Sequence, residues 1–466
     1  MSETFTEAKV CRSCKGRVHP VLSLGDQFVS NFVSAENVRT GPRCPIALDQ
    51  CEECTLVQAR FTPPPSLLYQ EHYWYRSGVN KTMRTALRDV AESCYRLVDL
   101  KTGDIVLDIG ANDGTLLSNF DPFGIGLVKV AVEPAKNLHD ECRRNCTELI
   151  EGFWSADDYF QLIDNIDFEP LWDRRAKVVT AIGMFYDLDD PNPFVADVKK
   201  VLHPDGVFVC QFMTLRNMLD LGDVGNLAHE HLEYYSAKSL NALFERHGLR
   251  IVGAETNSVN GASDRFYAVH AERNWRALDR FATKDINGKS LLGRWVEIVS
   301  QEEGRNLDDG FTYERWMNRA VKERNKCVEF LCRVRDEGKR VWGYGASTKG
   351  NVILQWYGIG ADLIDELLER APVGLDRQVT APIGKAFAFG RLHRGVENAT
   401  RTQIDFAVNG DPGTRAEPGL EPLGLGPGAP DFCAGDGHGA REVEIQLRSG
   451  LHAAEINKDF QVTPRQ

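Results

Sequence analysis

Between residues 66 and 250, short apolar runs alternate with longer stretches whose apolar positions recur every three or four residues. IVLDIG, KVAVEP, KVVTAIG and GVFVCQF have the length and β-branched content of buried strands. VNKTMRTALRDVAESCYRLV and NPFVADVKKVL, lying between them, carry the helical period. That alternation predicts a parallel sheet with crossover helices. Further on, YERWMNRAVKERNKCVEFLCRVRDEG (residues 313–338) predicts a long amphipathic helix, with Trp316, Val321, Phe330 and Leu331 near one face and Gly338 as its stop. KRVWGYGASTKGNVILQW then repeats the order strand, Gly-rich turn, helix.

The ends of the chain read differently. Residues 1–65 are rich in cysteine and turn residues, and residues 371–466 are rich in Gly and Pro with little periodicity. Four zones are therefore expected: 1–65, an α/β domain over 66–250, a second α/β domain over 251–370, and an atypical tail over 371–466. A stretch such as GLEPLGLGPGAPDFCAGDGHGA buries too little apolar surface to offset its ordering entropy. A shifted reading frame or a divergent, disordered end near residue 372 accounts for it, and sequencing the coding DNA there decides between the two.

Composition narrows the picture modestly. The 466 residues suffice for two or three cores, and 42% hydrophobic with 26% charged residues is ordinary for a globular chain. The net charge of -12 argues against nucleic acid as the main partner. No apolar run approaches the ~20 residues that span a bilayer, and the N-terminus lacks the apolar core of a signal peptide. The expected location is the cytoplasm, where the 12 cysteines stay reduced and clustered ones read as metal ligands.

The turn in VLDIGANDGTLL (106–117) carries the first chemistry. Gly110 and Gly114 let the backbone turn tightly between strand and helix, and Asn112 lies between them. Dinucleotide turns use G-x-G-x-x-G to seat a diphosphate. Here the spacing is G-x-x-x-G, and Asp108 and Asp113 would repel a diphosphate but suit a sulfonium and an amino group. The expected cofactor is S-adenosylmethionine rather than NAD. Glu133, followed by Pro134, ends the next strand, where an acid accepts from both ribose hydroxyls. In TAIGMFYDLDDP (180–191), Gly183 and Met184 fall at a strand tip facing the cofactor, with Phe185 or Tyr186 as a cover for adenine or substrate.

Two CxxC knuckles, Cys11/Cys14 and Cys51/Cys54, predict a closed tetrahedral zinc site that contributes folding energy. Cys44 and His19 are alternative ligands. In NLAHEHLEYYS (226–236), His229, Glu230 and His231 form a candidate acid/base group, without the i, i+4 spacing of a helical zinc site. HYWYRSGVN (72–80) offers Tyr75 and Arg76 to close over a pocket.

Taken in order, the CxxC pair, YRSGVN, VLDIGANDG, HEHLEYYS, an NGxS-type turn (Asn260 to Ser263) and GYGASTKGN resemble the nucleotide-sugar C-methyltransferases of deoxysugar pathways, from about residue 8 to 370. The resemblance implies a Rossmann-like class I methyltransferase domain, preceded by a small zinc-binding domain and followed by a second Rossmann-like α/β domain. The substrate it implies is a nucleotide-linked sugar of the dTDP-4-keto-6-deoxyhexose type. The proton next to the ketone is removed and the enolate carbon takes the donor methyl. The base role falls on His231, with Glu230 and His229 beside it and Tyr75 as the active-site tyrosine. Arg76, Asn260 and Lys349 would contact substrate, with Gly343 and Gly345 helping to hold the nucleotide. Two departures stand out: Ala228 replaces a tyrosine common before H-E-H, leaving Tyr234 or Tyr235 to substitute, and the pattern dissolves after ADLIDELLERAP. An O- or N-methyltransferase, a nicotinamide-dependent oxidoreductase and an inactive cofactor-binding homologue are the competing readings.

Overall fold

The computed structural model describes residues 5–29, 41–64, 67–68, 73, 75–166, 173–274, 279–284, 288–344, 348–368 and 442–446. The chain divides into two units. The first comprises residues 1–24, 44–220 and 229–314, and the second residues 25–43, 221–228 and 315–466.

In the first unit the expected alternation is realised. The elements run α1 (Lys81–Leu97), β1 (Ile105–Ile109), α2 (Thr115–Ser118), β2 (Val128–Val132), α3 (His139–Arg143), β3 (Glu148–Ile150), α4 (Ala156–Asn165), β4 (Ala176–Ile182), α5 (Pro191–Val201), β5 (Leu202–Phe212), β6 (Leu249–Asn257) and β7 (Ser263–His270). Asn80 starts α1 by accepting from the Thr82 amide at 2.8 Å. The sheet order is β6-β7-β5-β4-β1-β2-β3. Strands β5, β4, β1, β2 and β3 are parallel, while β7 is antiparallel to β5 and to β6. The sheet therefore extends beyond residue 250, where the sequence reading set a domain boundary. No shift in composition marks that point, so the β6–β7 hairpin was invisible as part of the same sheet.

Both faces of the sheet are covered. Leu107, Val130, Val179 and Phe208 pack on one side with Tyr159, Val198 and Phe244. Val106, Ala131, Val178 and Val209 pack on the other with Val90, Leu117 and Tyr267. Burial on both sides explains the near-continuous apolar runs. The carboxyl ends of β1, β4 and β5 share one edge, and β7 begins there, since Phe212 pairs with Asp264. Open α/β sheets bind ligands at that edge.

A small second sheet precedes the first. Strand β8 (Arg43–Cys51) pairs antiparallel with β9 (Val57–Ala59), and β9 pairs with β10 (Glu233–Tyr234), a strand contributed by the segment just after H-E-H. Cys11, Cys51, Cys54 and Leu56 belong to the same core as Phe185, Phe212 and Tyr235.

In the second unit, β11 (Arg340–Tyr344) lies between β12 (Glu366–Leu368) and β13 (Glu442–Gln446), both parallel to it, with α6 (Thr348–Tyr357) following β11. Among the described residues this unit is a three-stranded parallel sheet with a helix after its central strand. The long helix α7 (Gly310–Asp336) buries Trp316, Ala320, Cys327, Leu331 and Val334. Val321 and Phe330 are only half-buried, because the buried stripe follows the 4, 7, 4 and 3 residue steps from Trp316. The alternating EVEIQ of β13 falls within the stretch read as a patternless tail. Residues 369–441 and 447–466 lie outside the described residues, and with them the expectation of disorder or a frameshift.

Candidate active site and metal centre

The turn after β1 is built from left-handed backbone: Gly110, Asn112 and Gly114 have φ of 74°, 54° and 76°. Only glycine adopts this without cost. A Cβ on Gly114 would lie 2.7 Å from Asn145 Cβ and 3.1 Å from the Cys142 carbonyl oxygen. Gly114→Ala is therefore expected to destabilise the protein by about 2 kcal/mol, read as a lowered thermal midpoint. On Gly110 a Cβ would meet Met184 Cγ at 2.8 Å, so the tip of β4 reaches over the turn.

The acidic residues of this turn have distinct environments. Asp108 is buried, with the Thr180 hydroxyl donating to it at 2.6 Å. Burial pushes its carboxyl up to about 7. Glu133 bridges two loops, accepting from the amides of Asn112 at 2.7 Å and Ala135 at 2.8 Å. Burial raises it too. Each of its oxygens retains a lone pair for a further donor. Asp113 binds inward instead: it accepts from Gly78 N at 2.6 Å and from Thr115 N and Oγ1 at 3.1 and 2.6 Å. It clamps the turn to the segment before α1.

That segment is strapped along the turn. Ser77 N donates to Asn112 Oδ1 at 2.9 Å, and Asn112 Nδ2 to the Tyr75 carbonyl at 3.1 Å. Tyr73 and Asn137 exchange two hydrogen bonds of 3.1 and 3.0 Å. Arg76 Nε meets both Glu141 oxygens at 3.2 Å, and Tyr75 is 47% exposed. Pro134 is half-buried after β2.

Gly183 (φ 70°) ends β4 in open space. The adjacent aromatics separate. Phe185 is fully buried among Phe194, Phe208, Phe212, Tyr235 and Phe244. Tyr186 is half-buried at the rim of the same cluster, edge on to Phe212, and meets the His231 ring edge to face, with centroids 4.4 Å apart. His231 is buried, with Nε2 4.0 Å from Glu230 Oε1. Desolvation, then neighbouring acids, holds the Tyr73 and Tyr186 phenols well above their usual range, and burial does the same to Asp187. Burial at this cleft thus favours the protonated forms of Tyr73, Tyr186 and Asp187. The sequence reading points only to Tyr186 among them, and the acid signal of Asp187 is lost in the run DLDD.

His229 Nε2 lies 2.9 Å from the Cys44 carbonyl oxygen, which ties H-E-H to β8. Tyr234 is buried in β10 and Tyr235 in the aromatic core. Tyr186 is therefore the phenol set against His231. Asn260 (φ 53°) is exposed at the β6–β7 turn on the cofactor edge of the sheet. In the second unit, Lys349 Nζ lies 3.1 Å from Asp223, Gly343 is in β11, and Gly345 lies outside the described residues.

The four knuckle sulfurs lie within 4.8 Å of one another. Cys11 and Cys54 are 3.5 Å apart, Cys14 and Cys51 3.4 Å. A tetrahedron with Zn–S bonds of ~2.3 Å has edges of about 3.8 Å, so the thiolates fit a closed zinc site. Lys15 and Thr55, each following a knuckle, have φ of 64° and 62°, and the amides of Cys14 and Glu53 point at Cys11 and Cys51 sulfurs at 3.4 Å. Cys44 instead directs its sulfur to the Pro45 carbonyl, and neither it nor His19 joins the cluster.

Comparison with known proteins agrees with this architecture. A zinc binding domain family matches residues 11–69, a methyltransferase domain family residues 79–254, and a C-methyltransferase C-terminal domain family residues 278–381. The C-methyltransferase NovU of Streptomyces niveus is 27% identical over 342 residues, covering 73% of this chain and 76% of that protein. Among solved structures, the CcbJ methyltransferase of Streptomyces caelestis is 14% identical with a TM-score of 0.29, over 40% of this chain and 89% of that one. The magnesium protoporphyrin IX methyltransferase of Synechocystis, with bound S-adenosylhomocysteine, is 10% identical with a TM-score of 0.30, over 40% and 83%. With the three matched domains in this order and the glycine turn and four-cysteine cluster in place, the chain is an S-adenosylmethionine-dependent methyltransferase carrying the zinc-binding and C-terminal domains of the C-methyltransferases.

Proposed function

We propose that the chain methylates a carbon next to the ketone of a nucleotide-linked 4-keto-6-deoxyhexose, of the dTDP-sugar type. The observation that carries this reading is a buried imidazole, His231, packed edge to face on Tyr186. O- and N-methyl transfer needs no enolising base, whereas carbon acids do. S-adenosylmethionine supplies the electrophilic methyl group when bound. Asp108, Gly110, Asn112, Gly114, Glu133, Pro134, Gly183 and Met184 would hold it, and the tight left-handed turn with an acid at each strand end suits its amino and ribose groups.

In this reading His231 accepts the proton next to the ketone and Glu230 orients its ring. Tyr75 donates to the developing enolate oxygen, with Tyr186 a second protonated phenol at the same imidazole. Arg76 and Asn260 are proposed substrate contacts, and His229 holds the motif through Cys44. The test is deuterium washout. In deuterated buffer, the position next to the ketone of a dTDP-linked 4-keto-6-deoxy sugar exchanges with wild-type protein; methyl transfer without any exchange would point to an O- or N-acceptor.

Asp108 gives a second test. The folded carboxyl titrates near 7, against about 4 when unfolded, so the cofactor-free fold loses stability as pH rises through that interval. A bound cationic amine favours the carboxylate. Binding is therefore expected to release close to one proton at pH 6, read by calorimetry in buffers of different ionisation enthalpy. Equal heats in all buffers at pH 6 would contradict it.

A further inference from the structure

The first knuckle contains a residue whose side chain leaves the metal site altogether. Arg12, between ligands Cys11 and Cys14, is 3% exposed. Its guanidinium is a fork with two groups of partners. Nη1 pairs with the Asp189 carboxylate and donates to the Asp189 carbonyl at 3.2 Å. Nη2 donates to the Ala59 carbonyl at 3.0 Å and to Thr62 Oγ1 at 2.8 Å. Thr62 Oγ1 in turn donates to Asp189 Oδ1 at 2.8 Å.

Both groups of partners lead to the imidazole. Ala59 accepts from Arg12 at its carbonyl, and its amide donates to the Leu232 carbonyl at 2.8 Å, one residue after His231. Asp189 belongs to the loop that carries Tyr186, and the Leu232 amide donates to the Tyr186 carbonyl at 2.8 Å. The bonds close a ring from Arg12 through Ala59, Leu232 and residues 186–189 back to Arg12. The His231–Tyr186 ring contact lies on that ring. The backbone of Arg12 is held as firmly: its amide donates to Gln58 Oε1 at 2.7 Å, and its carbonyl accepts from Asn192 Nδ2 at 3.0 Å. A knuckle closed on zinc fixes this backbone, because its two ends are ligands.

We propose that Arg12 is a positioning residue: it carries the order imposed by the four-cysteine metal site to the catalytic cleft by setting the Tyr186 loop against His231. Lysine keeps the charge but not the fork, and reaches one group of partners where arginine reaches both. A ring displaced by about 1 Å costs a proton transfer about 10²-fold in rate.

The role of His231 as base rests on the function proposed above, so the test reads structure as well as turnover. Full-length Arg12→Gln and Arg12→Lys are purified, and zinc per chain is measured. S-adenosylhomocysteine affinity is measured by calorimetry, and amide exchange over residues 186–190 and 232–235 by mass spectrometry. The expected result is one zinc per chain and a Kd within about 2-fold of wild type. Exchange at both segments rises about 10-fold or more, and kcat falls about 10²-fold with KM little changed, Lys lying between Gln and wild type. Wild-type exchange and kcat in Arg12→Gln would overturn the proposal. So would joint loss of zinc, cofactor binding and turnover, which marks a purely structural residue. Thr62→Val removes only one partner of the fork and guards against a variant that fails to fold: it is expected to raise exchange at residues 186–190 with zinc retained, and unchanged exchange there would also count against the proposal. If wild type turns over no 4-keto sugar, the proposed function fails while the exchange data still judge Arg12.

Discussion

His231→Ala is expected to retain S-adenosylhomocysteine binding and to lose roughly 10²- to 10⁴-fold in both deuterium washout and methyl transfer, the usual contribution of a positioned general base. The two rates should fall together, because both begin with removal of the same proton. Cofactor affinity should hold, since His231 lies on the segment that enters β10 while the glycine turn is braced by Asn112, Asp113 and Glu133. Tyr186→Phe keeps the edge-to-face contact and removes only the hydroxyl, so a smaller loss there separates ring packing from proton donation. Full turnover in His231→Ala would remove the base assignment.

The second large effect is removal of the metal. The segment up to residue 65 buries Ile46, Leu48, Leu56 and Val57, and its ligands Cys11, Cys51 and Cys54 are themselves part of the main core, so loss of the metal opens that core. Structural zinc contributes about 10–16 kcal/mol of apparent binding free energy in small peptides, much of it folding energy. Stripping zinc with a chelator, or Cys54→Ser, is therefore expected to lower the thermal midpoint by roughly 10 °C or more. Proteolysis should then begin within residues 5–64. Because β10 pairs with β9, exposure should spread to residues 229–235 and turnover should fall with zinc content. A metal-free protein that melts and turns over like the loaded one would refute the structural site.

The parts legible in sequence were those that repeat along the chain or need a special backbone. Strand runs buried on both faces, the helix capped by Asn80, the glycines at positive φ and the paired knuckles each leave a local mark. The partners of charged groups leave none. Asp113 reads like Asp108 in sequence, yet it spends both oxygens on Gly78 and Thr115 while Asp108 stays buried with Thr180. Phe185 and Tyr186 are adjacent aromatics, and only the short turn after β4 buries the first fully and leaves the second at the rim of the core against His231. Nothing in the CRSC spacing marks Arg12 as buried, and β6 and β7 lie across the expected boundary at residue 250 because antiparallel pairing has no signature at that distance. EVEIQ is too short a run to stand out within a Gly- and Pro-rich stretch.

The central claim is methyl transfer to carbon. The most direct measurement is mass spectrometry with carbon-13 NMR of the product formed from methyl-labelled S-adenosylmethionine and a panel of nucleotide-linked 4-keto-6-deoxy sugars. A labelled methyl bonded to the carbon next to the ketone of one of these sugars is expected. A labelled methyl on oxygen or nitrogen would contradict it.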